Sequence, residues 1–375
     1  MQNIKQTKIP VVLSADNNYA PYLGVCIKSI IENASRTNIY DIYILTSNIN
    51  DDYQSRIKNM EQENVSINFY DMETVLKGLD MSLFKCPNTG NNFYSAETYY
   101  RLFLSRILES YDKILYLDCD MIILHDVADL FNIDIGDNFI GATHDLSLLI
   151  ASNNYSNWAD TFLKYVNDYL GMKDLNNYFQ AGVMIWNLAK CREHDLTQKF
   201  LDMLQKIGTP KYVDQDVMNA VLGGKNIFWL NQKWDVVWDI SFWYQGLHNL
   251  LPQKFLADYE NNLAAPWIIH YTSSIKPWKK PEKKNAKYFW HYARMTPFYE
   301  EIIYKNTKAS SPAVMPTFDL SIIQEALNYT QNKFKYLRYS LLSKITFGKK
   351  RKKYKQKRKN IKAKLKQVKT FLKAK

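Results

Sequence analysis

The sequence predicts an α/β fold built on a mostly parallel sheet, and three observations predict it. Segment 9–15 (IPVVLSA) is a continuous apolar run with β-branched residues, which suits a strand buried on both faces. Strand-like runs at 39–47 (IYDIYILTS) and 65–71 (VSINFYD) alternate with stretches of helical period, and such alternation calls for crossover helices between parallel strands. YDKILYLDCDMII (111–123) contains the strongest strand signal in the chain.

Each element follows in order. After the first strand, Leu23, Ile27, Ile30 and Ile31 recur at helical spacing over 20–34, and 50–62 reads as a polar helix. Residues 95–109 read as a helix before the 111–123 strand. GVMIWNL (182–188) is a further strand, followed by a helix to about 207 and a short one over 214–222. Beyond 225 the pattern turns Trp- and Pro-rich and irregular, and helices return near 285–305 and 318–340. No internal repeat is present. The expected organisation is an α/β domain over 1–282, a helical extension over 283–332 and a polybasic tail over 333–375.

At 375 residues the chain can bury a substantial core, and 27 Tyr with 18 Phe beside 23% charged residues make it globular rather than disordered. Near the N-terminus a five-residue apolar-rich run soon meets polar residues, so no signal peptide is expected. No stretch reaches the roughly 18 apolar residues of a membrane span, and the expected location is the cytoplasm. Cys26, Cys86, Cys119 and Cys191 lie far apart without a C-x-x-C, which excludes a zinc framework and points to buried, reduced thiols. The net charge of +12 is unevenly spread. Residues 333–375 carry 19 Lys and Arg and no acid, so 12 − 19 leaves −7 on residues 1–332.

The chemistry concentrates at two strand ends. In LYLDCDMIIL, Asp118 and Asp120 end a buried strand, the edge at which open α/β sheets bind ligands. Alternate residues of an extended chain point the same way, so both carboxylates can reach one cation, and hard oxygens suit Mg²⁺ or Mn²⁺. Acidic pairs are common on surfaces, and it is the strand-end position that favours function. Haloacid dehalogenase-type phosphatases carry a similar pair, but after their first strand and followed by Thr or Val, whereas here it comes late and Met121 follows. In WIIHYTSSIKPW (267–278) an apolar strand delivers His270, a small-residue loop follows, and Lys276 precedes Pro277. An imidazole completes an oxygen-rich metal site, small residues let backbone N–H groups approach phosphate, and Lys276 adds positive charge. A lone strand-end His is more often structural.

Taken together, SADNNYAPYLGVCIKSI (14–30), ETYYRLFLSRIL (97–108), YDKILYLDCDMII (111–123), YFQAGVMIWNLAKCREHDL (178–196), VDQDVMNAVL (213–222) and HYTSSIKPW (270–278) resemble glycosyltransferase family 8. The resemblance covers about residues 9–280 and is strongest to the bacterial lipopolysaccharide and lipooligosaccharide galactosyl- and glucosyltransferases. It implies a GT-A, Rossmann-like fold, a UDP-hexose donor, Mn²⁺ or Mg²⁺, and retention of anomeric configuration. It further implies that Asp118, Asp120 and His270 bind the metal, and that Lys276 and the Ser273 loop bind the diphosphate. By the same pattern Asp16, Asn18 and Tyr19 hold the uracil. Arg101 and Asp214 hold the hexose with the Ala181–Gly182 backbone, and Gln215 lies beneath the anomeric carbon.

Two departures from the family pattern bear on specificity. Gln180 stands where Asn is usual, and Ser273 where Gly is common. Trp234, Trp238 and Trp243 suit either sugar stacking or core, and 84–96 suits either a lid or an ordinary loop. In the tail, Ile361, Leu365, Val368 and Leu372 share one helical face opposite Lys, a basic amphipathic pattern. The expected partners are therefore the UDP-sugar, a glycolipid or oligosaccharide acceptor, and the anionic inner face of the cytoplasmic membrane, with nucleic acid disfavoured. A protein or Gram-positive wall-polymer acceptor, or a non-catalytic binder on the same scaffold, stays open.

Overall fold

In the computed structural model, the described residues are 7–87, 95–153, 157–237, 250–272, 275–310 and 320–374. Ser273, Trp238, Trp243 and most of the 84–96 segment, all singled out above, lie outside them, as do the side chains of Val368 and Leu372. The chain divides into two compact units, Met1–Asn306 and Thr307–Lys375.

Among the described residues the first unit has ten strands: β1 (Lys8–Ser14), β2 (Ile39–Thr46), β3 (Val65–Asp71), β4 (Lys113–Leu117), β5 (Met121–Ile123), β6 (Ile140–His144), β7 (Phe179–Asn187), β8 (Ile227–Trp229), β9 (Val236–Val237) and β10 (Ile268–His270). Seven form one sheet in the order β3-β2-β1-β4-β7-β6-β8. All its pairings are parallel except those of β7, which runs against both β4 and β6. That reversal brings the N-terminal residues of β7 to the same sheet edge as the C-terminal end of β4. Both faces are covered, as the continuous apolar runs require, with Val11 and Leu13 packing into one core cluster and Val12 and Tyr116 into another.

The expected strand over 111–123 is two strands. β4 ends at Leu117 in the large sheet, the chain leaves it at residues 118–120, and β5 joins a second sheet in the order β5-β10-β9. The 95–109 segment is a 3₁₀ helix, Ala96–Phe103, followed by the short α-helix Leu104–Ile107. In 3₁₀ geometry residues i and i+3 eclipse, which aligns Thr98 with Arg101. β6 and the helices over 146–168 lie in a stretch to which the sequence pattern assigned nothing. The helix Ala286–Ala293, expected in an extension, packs Phe289 into the same core cluster as β1. Trp234 is core, 2% exposed. Of the cysteines only Cys26 and Cys191 are buried, while Cys86 and Cys119 are partly exposed. The second unit contains the helices Leu320–Ile345 and Gly348–Ala374. Among the described residues no helix is long and apolar enough to cross a membrane.

Candidate active site

The break between β4 and β5 creates the site. In the second sheet His270 pairs with Met121, the residue after Asp120, and the Tyr271 N–H donates to the Asp120 carbonyl at 3.0 Å. This antiparallel register, which joins segments about 150 positions apart in the chain, brings the imidazole over both carboxylates. His270 Nε2 lies 3.3 Å from Asp120 Oδ1 and 3.7 Å from Asp118 Oδ2, and the three potential ligand atoms fall within 4.8 Å of one another. Gly182 closes the back of the cluster. A Cβ there would stand 2.4 Å from His270 Cε1, 2.8 Å from Met121 Cε and 2.9 Å from Asp118 Oδ2, so only glycine fits without displacement.

A fourth group, which the sequence reading did not single out, completes the arrangement. Asp235, just before β9, is buried with its Oδ1 2.9 Å from His270 Nδ1, and Thr143 Oγ1 donates to its other oxygen at 3.3 Å. A carboxylate on Nδ1 keeps that nitrogen protonated and turns Nε2 toward the Asp118–Asp120 pair. Burial opposes the imidazolium, but Asp235 and Asp120 outweigh it and raise His270 to about 10. A proton and a divalent cation thus compete for one position between Nε2 and the carboxylates. The only sequence clue to Asp235 was its place in the Trp-rich WDVVWD segment.

Lys276 sits on the other side of Asp120. Its Nζ lies 2.6 Å from Asp120 Oδ2 and 2.6 Å from the Tyr271 carbonyl, and the residue is 3% exposed. Burial works against the Asp120 carboxylate, yet Lys276 and His270 hold it below the usual carboxylate range.

Arg101 links the metal-type cluster to the helix Val213–Leu222. It donates to Asp118 Oδ1 at 2.7 Å, lies 2.9 Å by Nε from Asp214 Oδ2, and donates to the Ala181 carbonyl, while its guanidinium covers the Tyr116 ring at 4.4 Å. Thr98, eclipsed with Arg101, donates to the other oxygen of Asp214. Burial pushes Asp214 up to about 6 against the pull of Arg101. The helix enters through Val213 at φ +42°, a left-handed conformation strained for a β-branched residue and of the kind that collects at functional sites. It is held against β7 by Asn219, which bonds both the N–H and the C=O of Phe179 at 2.9 Å. Gln215 is fixed at both ends of its amide. Its oxygen accepts from Ala181 N at 2.9 Å and its nitrogen donates to Asp145 Oδ2 at 3.0 Å, and burial raises Asp145 to about 6. Gln180 folds back so that its own oxygen accepts from the Gly182 N–H.

These groups surround a cleft of about 220 Å³ at the carboxyl ends of β1 and β4. Asp16 and Tyr19 also line it, joining Arg101, Asp118, Asp120, Ala181, Asp214, Gln215, His270 and Lys276. Asp16 caps its own turn, accepting from Tyr19 N at 2.8 Å and from Asn18 Nδ2 at 3.3 Å, so Asn18 acts there on Asp16 while its own side chain is exposed. Tyr19 packs edge-on to Tyr22 and Trp278, and those two rings stack at 4.0 Å. Cys119, between the two aspartates, also faces the cleft.

Known proteins share this architecture. Over 274 residues the chain is 28% identical to the lipopolysaccharide 1,2-glucosyltransferase of Escherichia coli K12, covering 72% of each. Over 293 residues it is 24% identical to general stress protein A of Bacillus subtilis, covering 76% of this chain and 93% of that one. Among solved structures, the apo bifunctional glycosyltransferase WbbM superposes with a TM-score of 0.68 at 25% identity, covering 82% of this chain and 53% of that longer one. Galactosyltransferase LgtC, solved with donor and acceptor sugar analogues, superposes at 0.61 with 24% identity, covering 77% of this chain and 96% of LgtC, and shares its GT-A fold. The family model for glycosyl transferase family 8 matches residues 10–282, most of the first unit and every described residue of the cleft, and the chain belongs to that family.

Proposed function

We propose that this chain is a metal-dependent retaining glycosyltransferase that moves galactose or glucose from a UDP-sugar to a lipopolysaccharide, lipooligosaccharide or related surface glycan. The observation that carries the proposal is the convergence of Asp118, Asp120 and His270 beside Lys276, in a cleft whose other wall is Arg101, Asp214 and Gln215. Two carboxylates and an imidazole suit Mn²⁺ or Mg²⁺, and the tight fit of Gly182 against the cluster supports a site shaped for these side chains. A divalent cation held by those three residues supplies a Lewis acid for the charge that develops on the leaving diphosphate.

The protein's own groups supply the rest. Lys276, nearly enclosed, adds a fixed positive charge for the diphosphate without needing reorganisation. Ser273 is assigned to the same phosphates by the family pattern. Asp16 and Tyr19 offer a hydrogen-bonding edge and an aromatic face for uracil, with Asn18 steadying Asp16. Arg101 and Asp214 hold hexose hydroxyls with the Ala181–Gly182 backbone. Gln215, with both ends of its amide engaged and no good nucleophile to offer, favours attack by the acceptor on the face the leaving group departs from. The basic region from 333 onward associates with anionic lipid at the inner face of the cytoplasmic membrane, where a glycolipid acceptor is at hand. An acceptor on a protein or wall polymer is the second reading, and the same donor panel run with such an acceptor tests it.

The test is UDP release from UDP-galactose, UDP-glucose and their N-acetyl forms, with Mn²⁺ and a truncated glycolipid acceptor. Release is expected from one hexose donor, and it should vanish in Asp118→Asn and Asp120→Asn. Undiminished turnover of the wild type after exhaustive EDTA treatment would refute the metal-dependent reading.

A further inference from the structure

The stripe that sequence periodicity selects in the tail is not the one the structure exposes. Tyr354, Arg358, Ile361 and Leu365 share one face of the helix Gly348–Ala374, and all four are half-buried. Tyr354 on that face stacks on Tyr339 of the helix Leu320–Ile345, with ring centroids 6.1 Å apart. Ile361 and Leu365 therefore lie on the side that packs within the helical pair. Gly348, at φ +59°, makes the turn between the two helices, a conformation that glycine adopts without strain.

The outward apolar face is on the other helix. Phe334, Leu337, Leu341 and Ile345 are 69%, 56%, 61% and 61% exposed, and Phe347 at the turn is 81% exposed. At about 100° per residue the first four fall within about 80° of arc. Tyr339 and Ser343, the latter 3% exposed, lie on the opposite side, toward the partner helix. Exposed cations flank the stripe, Lys335 and Arg338 on one side and Lys333 and Lys344 on the other. Five large apolar side chains in one exposed row are more than a soluble surface carries by chance.

We propose that this face, Phe334-Leu337-Leu341-Ile345 with Phe347, is the element that enters an anionic lipid surface, with the flanking Lys and Arg reaching the headgroups. The argument is charge complementarity joined to geometry. The 19 cations of residues 333–375 face no acid in that segment, which suits an anionic bilayer and opposes a second copy of the same basic hairpin. Long basic side chains beside an apolar row extend their charged ends to the interface while the row is buried. The inference rests on the membrane reading given above and deepens it. The helix Gly348–Ala374 supplies attraction at a distance, and the helix Leu320–Ile345 supplies insertion.

The test sediments the full chain and the variant Leu337→Ser/Leu341→Ser/Ile345→Ser with phosphatidylcholine vesicles, with and without phosphatidylglycerol, at low and high salt. Circular dichroism checks that the variant keeps its helicity, which is expected because all three positions are exposed. The full chain should bind anionic vesicles and keep part of that binding at high salt, because screening weakens the charges but not the buried apolar area. The variant should bind about tenfold or more weakly and lose all binding at high salt. Equal binding of the two proteins overturns the insertion face while leaving tail-driven association standing. A full chain that binds no vesicle overturns both. Equal binding to neutral and anionic vesicles overturns the anionic partner. Light scattering that shows a dimer dissolved by the variant, with vesicle binding unchanged, makes the face a contact between copies instead.

Discussion

Removing Asp235 isolates the group that aims His270. In Asp235→Ala the imidazole loses its Nδ1 partner at 2.9 Å and can rotate or change tautomer, whereas Asp235→Asn keeps the shape and an acceptor oxygen but not the charge. A hydrogen bond to a charged group contributes about 1.5–3 kcal/mol, which corresponds to roughly 10–100-fold in Mn²⁺ affinity, the range expected for such supporting partners. The assay is calorimetric titration with MnCl₂, paired with thermal unfolding with and without metal. At a metal concentration about 100 times the wild-type Kd, binding stabilises the wild type by about 2.7 kcal/mol, and a 100-fold weaker variant gains only about 0.4 kcal/mol. The affinity order should be wild type, then Asn, then Ala. The reasoning fails if both folded variants bind Mn²⁺ as tightly as the wild type, since Asp235 would then be only a satisfied buried carboxylate.

Three further outcomes are expected. Gly182→Ala places a methyl 2.4 Å from His270 Cε1, so it should cost about 1–3 kcal/mol in unfolding free energy and weaken Mn²⁺ binding, whereas normal affinity by titration would show the cluster more compliant than its packing implies. Asp214, raised to about 6 from an unfolded value near 3.8, favours its protonated form in the folded protein. Its contribution to stability is therefore present below pH 3.8 and lost as pH rises through about 6, while kcat/KM, which needs the carboxylate, should fall as pH drops through about 6. A pH–rate profile checks this, and the low residual turnover of Asp214→Asn should no longer fall through about pH 6. Lys276→Ala should weaken UDP binding by about tenfold or more, because a charge-assisted contact contributes about 1.5–3 kcal/mol, and calorimetry reporting unchanged UDP affinity would contradict its role.

Much of the framework was written in local pattern. The apolar runs of β1 and β2 placed those strands within a residue or two, because burial on both faces leaves a continuous signature over seven or eight residues. β3, an edge strand with Val65 and Ile67 buried and Ser66 and Asn68 partly exposed, was legible from its alternation. Asp118 and Asp120 were legible as a pair because their spacing is local, and His270 because a strand delivers it into a small-residue loop. The orientation of β7 was not legible, since a buried strand reads the same in either direction, and that orientation decides whether Gly182 can back the metal cluster. Nor did periodicity show that residues 118–120 leave one sheet to join another.

What the sequence determined by itself is the set of elements and the chemical types at their ends: paired carboxylates, an imidazole, a lysine after a small-residue loop, and a tail with cations only. The tertiary structure alone decided which of those groups meet, and which way the amphipathic faces turn. Asp235 reaches His270 because β9 lies beside β10, and Arg101 spans Asp118 and Asp214 because a 3₁₀ turn faces the first turn of the helix Val213–Leu222. Ile361 and Leu365 turn inward because a tyrosine on their own face stacks on the partner helix. The physical reason is common to all three. Local periodicity encodes which side of an element is apolar, but a contact between distant segments depends on register and packing, and no short window of sequence contains either.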